Sequence, residues 1–372
     1  PSLHDHWLQS HLKTLTERYH EESLPSTNED CDDSHQLLQD KFVNLLPDHW
    51  TVCSMTLIGN ELYVVQLRAK ETPFVVRLPL QRHNGISYDN AMGELRAIIQ
   101  GSDETIHDSL KCTEKSQIEA WWKRRKELDG RLKTLLERME NDWLSGFRGL
   151  LSGRAPVFKE ELVKFQKNLN DLVYKLVKEV VNTPLKQVDF SLSLCRIVLR
   201  LGRYPTQNEL EDIAHFLVST YCEQQNDETL DDKIDHRKLT DQLRVLMGRY
   251  HEKCSMAGID SCLKNNNKEH VILILDKYLQ MFPIESLPTL RTQPTSRLPC
   301  LSFLRDRILY SQAQYDNFID GWQDLKVSRR NAFYVLNPGG DLKDTQKVFE
   351  AYFKSIPEWD GVIQTMPMEL QC

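Results

Sequence analysis

Residues 271–288 read VILILDKYLQMFPIESLP, an apolar run that breaks off into charge and then turns over a proline. Five apolar residues, Val271 to Leu275, suit a strand buried on both faces, as in a parallel sheet covered by helices. Asp276 and Lys277 close the strand, and Gln280, Pro283 and Glu285-Ser286 supply a turn and the start of a short helix. Strand, loop and helix in that order form the repeating unit of an α/β domain. Few residues follow, so the domain that this strand opens is expected to be incomplete.

Working outward, the polar tract Ser261 to Lys268, with three successive asparagines, is the expected domain boundary. Downstream, Leu301 to Ser311 reads as a helix, Ala332 to Leu336 as a second buried strand stopped by Asn337-Pro338-Gly339-Gly340, and Thr345 to Phe353 as the helix after it. Upstream, Thr51 to Ile58, Glu61 to Arg68 and Phe74 to Leu80 alternate with a period of two, and Gly59-Asn60 predicts an antiparallel hairpin between the first two. Between these sheets the helical period rules. Apolar residues recur at threes and fours from Trp121 to Leu150 and again from Phe158 to Val180, with a Ser-Gly-Arg-Ala-Pro breaker at 152–156. That pattern predicts two long helices folded back on each other as an antiparallel hairpin. Shorter helices are expected over Asp189 to Leu201, Thr206 to Cys222 and His236 to Lys253, with Thr206 and Glu209 forming a capping box. At the amino end, a helix over residues 5–19, an acidic linker from Glu21 to Ser34 and a helix from Gln36 to Leu46 are expected.

With 372 residues, the chain exceeds the roughly 250–300 residues of a single core. Its 47 Lys+Arg against 54 Asp+Glu give a net charge of -7, which leaves no overall basic footprint for nucleic acid. No apolar run approaches the ~18 residues of a membrane span, and no signal peptide is visible. Nine cysteines without any Cys-x-x-Cys pair read as thiols of a reducing compartment, so the expected location is cytoplasmic and nuclear. A first residue of Pro1 in place of Met reads as a piece of something longer.

Site chemistry is sparse. A nucleophilic protease needs a Cys or Ser at a strand end, a His to deprotonate it, and backbone amides for the oxyanion. No His here precedes Gly and no Cys follows Gly. Cys300 and His270 are the nearest approach to a pair, and an ordinary partly buried thiol accounts for Cys300 equally well. Nucleotide-binding glycine loops and metal-ligand spacings are missing, so no catalytic, cofactor-binding or metal-binding residue is assigned and no cofactor is expected. Asn337 to Gly340 reads as a plain turn. Trp121-Trp122-Lys123-Arg124-Arg125-Lys126 reads as a solvated helix face, one tryptophan anchoring the hairpin to the sheet.

Several blocks carry a family resemblance. Val271 to Pro288 with Leu287-Pro288-Thr289-Leu290 and Thr295-Ser296-Arg297-Leu298-Pro299 resembles the start of the protease domain of separase, the caspase-like cysteine endopeptidase that cuts cohesin's kleisin subunit. Leu46-Pro47-Asp48-His49-Trp50-Thr51-Val52, Pro73 to Leu80, Ala120-Trp121-Trp122, Leu128 to Leu132 and Trp143-Leu144-Ser145-Gly146-Phe147-Arg148-Gly149 resemble the substrate-binding pseudo-protease part before it. Phe333-Tyr334-Val335-Leu336-Asn337-Pro338 is similar to the next protease strand. The resemblance implies an α/β protein: a helical leader over 1–46, a caspase-like pseudo-protease domain over 47–265 with a helical insertion over about 89–253, and the first part of a caspase-like protease domain over 266–372. Its expected partners are a securin-type inhibitor and the cohesin kleisin as substrate. The family's catalytic His-Gly and Gly-Cys-Ser turns come after the Asn-Pro strand and have no counterpart here. Cys372, preceded by Gln371, is not that cysteine, and the isolated chain is expected to be inactive as a protease. The rival expectation is a non-catalytic scaffold that binds securin or substrate.

Overall fold

The computed structural model describes residues 31–109, 112–153, 159–181, 185–257, 269–315 and 332–365. The helix expected over 5–19, the tract 261–268 and Cys372 lie outside them. The chain divides into two compact units, residues 1–311 and 312–372.

The first unit opens with helix α1 (Cys31–Lys41), so residues 31–34, expected in the acidic linker, begin a helix instead. Strands β1 (Trp50–Ile58), β2 (Glu61–Arg68) and β3 (Phe74–Pro79) follow. The hairpin predicted from Gly59-Asn60 is present: β1 and β2 are antiparallel with Ile58 opposite Glu61, and Gly59 takes the positive φ of 62° that the turn requires. Helices α2 (Tyr88–Ser109) and α3 (Lys115–Met139) lead into a tight π and 3₁₀ segment over residues 140–151. Then come α4 (Lys159–Val180), α5 (Leu192–Leu199), α6 (Gln207–Gln225), a 3₁₀ turn (Glu228–Lys233) and α7 (His236–Met256). The capping box forms as expected: Glu209 N donates to Thr206 Oγ1 at 3.3 Å and Thr206 N to Glu209 Oε2 at 2.7 Å.

Strand β4 (His270–Leu275) runs parallel to β1 on one side and to β5 (Thr295–Leu298) on the other, giving a mixed sheet in the order β3-β2-β1-β4-β5. Residues on either side of the boundary expected near residue 265 share this sheet, since β4 pairs with β1 along a ladder from Trp50 to Met55. Alternation along β4 splits its side chains between two cores. Val271, Leu273 and Leu275 join the large core under the helices, whereas Ile272 and Ile274 face a smaller one with Val43, Val52 and Leu67. Leu304 and Ile308 of α8 (Leu301–Tyr315) complete the smaller core.

The expected helix hairpin is not the one that forms. α3 packs antiparallel on α2, and α4 packs on α5 and α7. Trp121 Nε1 donates to Thr105 O at 2.7 Å, and Arg131 forks onto both carboxylate oxygens of Glu94 at 2.9 and 3.0 Å. An amphipathic stripe says that a face is buried, not which neighbour buries it.

The second unit contains β6 (Ala332–Leu336), α9 (Lys343–Lys354) and β7 (Trp359–Ile363), a right-ordered βαβ unit whose two strands are parallel. β6 is not buried on both faces as expected. Tyr334 packs with Phe353, and Phe353 with Trp359, while Phe333 and Val335 on the opposite face remain about 40 % exposed. Among the described residues no helix is long and apolar enough to cross a membrane.

Candidate functional site

In open α/β sheets the loops beyond the carboxyl ends of parallel strands meet ligands, because side chains and helix starts converge there. Here that edge is formed by β1, β4 and β5, and the loop after β4 builds most of it. Asp276 ties the loop to β1 and to itself: one carboxylate oxygen accepts from Leu57 N at 2.5 Å, the other from Tyr278 N at 2.9 Å and Leu279 N at 3.0 Å. Gln280 Nε2 donates back to Leu275 O at 2.8 Å. Arg297 on β5 is the clasp. Its Nε and Nη2 meet the two oxygens of Glu285 at 2.7 Å each, and its remaining donors reach Gln280 O at 2.6 Å and Phe282 O at 2.8 Å. Burial pushes the Glu285 carboxyl up, but the fork from Arg297 outweighs it and holds the pKa below the usual range. Beneath the loop, fully buried Phe282 meets Trp143 and Tyr88 edge-on, with ring centres 5.5 and 6.1 Å apart.

The segment 143–149, WLSGFRG, joins this edge to the helices. Trp143 is buried with its Nε1 donating to Ile86 O at 2.8 Å. Ser145 adopts φ 43°, which turns the backbone so that Gly146 N points at Asp212 Oδ2, 3.3 Å away. Gly146 and Gly149 permit contact that no other residue could: a Cβ on either would lie 2.5 Å from a backbone oxygen, of Glu209 in α6 and Ile197 in α5 respectively. Arg148 Nε then bonds Glu209 Oε1 at 2.6 Å. Asp212 gathers Arg82 Nε and a ring nitrogen of His83, both at 2.9 Å from the same oxygen. Burial raises its carboxyl, yet Arg82 and His83 together bring the pKa below the usual range. The loop after β4 reaches the same segment through Thr289 N, which donates to Glu140 Oε2 at 2.8 Å.

The structure does not pair His270 with Cys300. His270 begins β4, at the amino edge, and its Nε2 lies 2.8 Å from Ser296 Oγ. Cys300 follows β5 at the other edge, exposed, its sulfur accepting from Phe303 N at 3.4 Å at the start of α8. Cys53 and Cys195 are buried, and burial pushes both thiols up to about 12, far from a nucleophilic thiolate. Asn337 to Gly340 is the turn expected, with Asn337 Oδ1 accepting from Leu342 N at 2.8 Å. The basic run 123–126 is a helix face: Arg124 binds Glu104 and Arg125 binds Ser102 and Thr105 of α2. Trp122 is exposed and Trp121 contacts α2, so neither reaches the sheet. Sequence spacing gave no sign of His215, Asp231 and His236, which folding brings together. The tie from Asp276 to Leu57 and the role of Asp212 were equally hidden, since their partners lie far along the chain, and the clasp of Arg297 depends on a fold-back of 12 to 17 residues.

A mixed sheet with helices on both faces and a braced loop at the carboxyl edge of its parallel strands defines an α/β protein. The family described as "Separin, protease domain" matches residues 58–372. Separin of Emericella nidulans is 30% identical over 345 residues, covering 88% of this chain and 16% of that protein. Separin of Schizosaccharomyces pombe is 31% identical over 341 residues, covering 88% and 18%, and separin of Mus musculus is 27% identical over 332, covering 87% and 13%. The chain thus spans less than a fifth of the length of these curated relatives. Among solved structures, the Saccharomyces cerevisiae separase–securin complex superposes with a TM-score of 0.71 at 22% identity, covering 91% of this chain and 22% of that one. The chain belongs to the separin family, also called separase, and shares its caspase-like α/β fold.

Proposed function

We propose that this chain supplies the scaffold of a separase-type cysteine endopeptidase, whose parent protein cuts the cohesin kleisin subunit to release sister chromatids, acting in the nucleus and cytoplasm. On this reading residues 47–265 form the substrate-binding part and residues 266–372 the start of the protease part, two functional parts that share one sheet through β1 and β4. The observation that carries the reading is the carboxyl edge of the parallel strands, where Arg297, Glu285 and Asp276 hold the loop after β4 rigid in a chain of protease-domain ancestry. A braced loop at that edge is what a protease core needs to present catalytic groups at fixed geometry.

The sequence contains no His-Gly and no Gly-Cys-Ser turn. We therefore propose that the isolated chain does not hydrolyse peptides and serves instead to bind. The solved yeast relative is bound to securin, which favours a securin-type inhibitor as the partner of this chain. The test is a pair of assays on the purified chain with a securin-type peptide and a peptide from the cohesin kleisin subunit. Micromolar or tighter securin binding without turnover supports the proposal. Cleavage that persists through purification and disappears on thiol alkylation overturns the catalytic half, and absence of any securin affinity overturns the binding half.

A further inference from the structure

Away from the carboxyl edge, α6, the 3₁₀ turn and the first residue of α7 bring three ligand-type side chains into one place. His215 comes from the middle of α6, Asp231 from the turn and His236 from the start of α7, and one ligand atom from each lies within 4.8 Å of the others. The connection folds back along α6 because α6 ends on Asn226 in the left-handed conformation, φ 55°, with Asp227 N bonded to Cys222 O. The two imidazole rings then face each other with centres 4.3 Å apart. His236 has one nitrogen 3.0 Å from Asp231 Oδ1, and its Nδ1 is buried with no hydrogen-bond partner among the described residues.

We propose that His215, Asp231 and His236 bind one divalent transition-metal ion, zinc foremost, which clasps α6 and α7 through the turn between them. Donor atoms on a zinc ion sit about 2.0–2.2 Å from the metal and hence roughly 3–4 Å from one another, so small side-chain rotations complete the set. Two imidazoles and one carboxylate suit zinc and its neighbours; magnesium and calcium, which take oxygen ligands, are not served by a single carboxylate. The two facing rings repel if both carry protons. A metal ion replaces that repulsion with two bonds and gives the otherwise unpartnered Nδ1 of His236 a use for its lone pair. Three protein ligands leave the remaining coordination to water, which places the site with open rather than closed zinc centres.

The test uses the purified chain stripped of metal by chelation and titrated calorimetrically with zinc, with cobalt as the spectroscopic probe. We expect one equivalent bound, visible d–d bands with cobalt, and no competition from magnesium or calcium. His215→Ala and Asp231→Asn should each weaken binding at least tenfold while the helical circular dichroism is unchanged. X-ray absorption at the zinc edge on the unmutated chain gives an answer even where a variant fails to fold: nitrogen and oxygen neighbours alone are expected. A sulfur neighbour, affinity untouched by both substitutions, or no binding at one equivalent overturns the proposal.

Discussion

Asp212 shows how one carboxylate can hold a joint together. It is buried, yet it accepts from Arg82 and Gly146 and lies against His83, so two separate segments, 82–83 and the one through Gly146, end on its two oxygens. Its folded pKa lies below its ordinary value, which for Asp is about 3.9. A carboxyl depressed on folding contributes stability that is fully present above the unfolded pKa and is lost as pH falls through the lower, folded one. Asp212→Asn keeps the shape and removes the charge that Arg82 needs. The expected cost is about 2–4 kcal/mol at neutral pH, shrinking as the pH falls from about 4, where the unfolded carboxyl takes up its proton, toward the lower folded pKa. Urea denaturation of both proteins across this range checks it; a difference that stays constant with pH would remove the charge from the explanation. The sequence does not reveal this role, because Asp212 sits in an ordinary helical pattern and its partners lie at residues 82, 83 and 146.

At the scale of elements, legibility follows the range of the forces involved. The hairpin at Gly59-Asn60, the buried strand at Val271 and the capping box at Thr206 depend on residues within a few positions of one another, and each could be read from the chain. Helix partnership depends on which stripe meets which, and there the expected pairing of the two long helices failed: α3 found α2 through Trp121, Arg124 and Arg131. Glycines in the WLSGFRG segment are informative in a different way. Gly146 and Gly149 let residues 140–151 lie directly on the backbones of α6 and α5, while Gln66 and Cys53 donate to Leu150 O from the sheet side. Gly146→Ala should therefore destabilise by about 1–3 kcal/mol, since the added methyl meets a carbonyl rather than a side chain that can swing away. Gly130→Ala is the control. Gly130 lies within α3 with nothing within 4 Å of the added Cβ, and the change should be neutral or stabilising by up to ~1 kcal/mol. Equal denaturation midpoints for the two variants would show that the close approach at Gly146 is not what holds the joint.

For the molecule as a whole, the contrast between its two units decides how it should behave in solution. The first unit has a sheet covered on both faces, each with its own core. In the second, α9 uses Phe353 toward the two-stranded sheet, yet it carries Val348, Phe349 and Tyr352 on its exposed side, and none of its residues is buried. Phe333 and Val335 are exposed on the sheet face away from the helix. A two-stranded parallel sheet with one covering helix is too small to hide this much apolar surface. Contiguous exposed apolar side chains and unpaired strand edges are the features that drive association. The purified chain is accordingly expected to self-associate at micromolar concentration and to bind a hydrophobic dye, both measurable by sedimentation and fluorescence. Val335→Lys with Val348→Lys should reduce both without changing helix content, because these side chains contribute no core. A monodisperse monomer that melts cooperatively and binds no dye before substitution would mean that this surface is covered from within the chain, and that the second unit is more complete than its described strands imply.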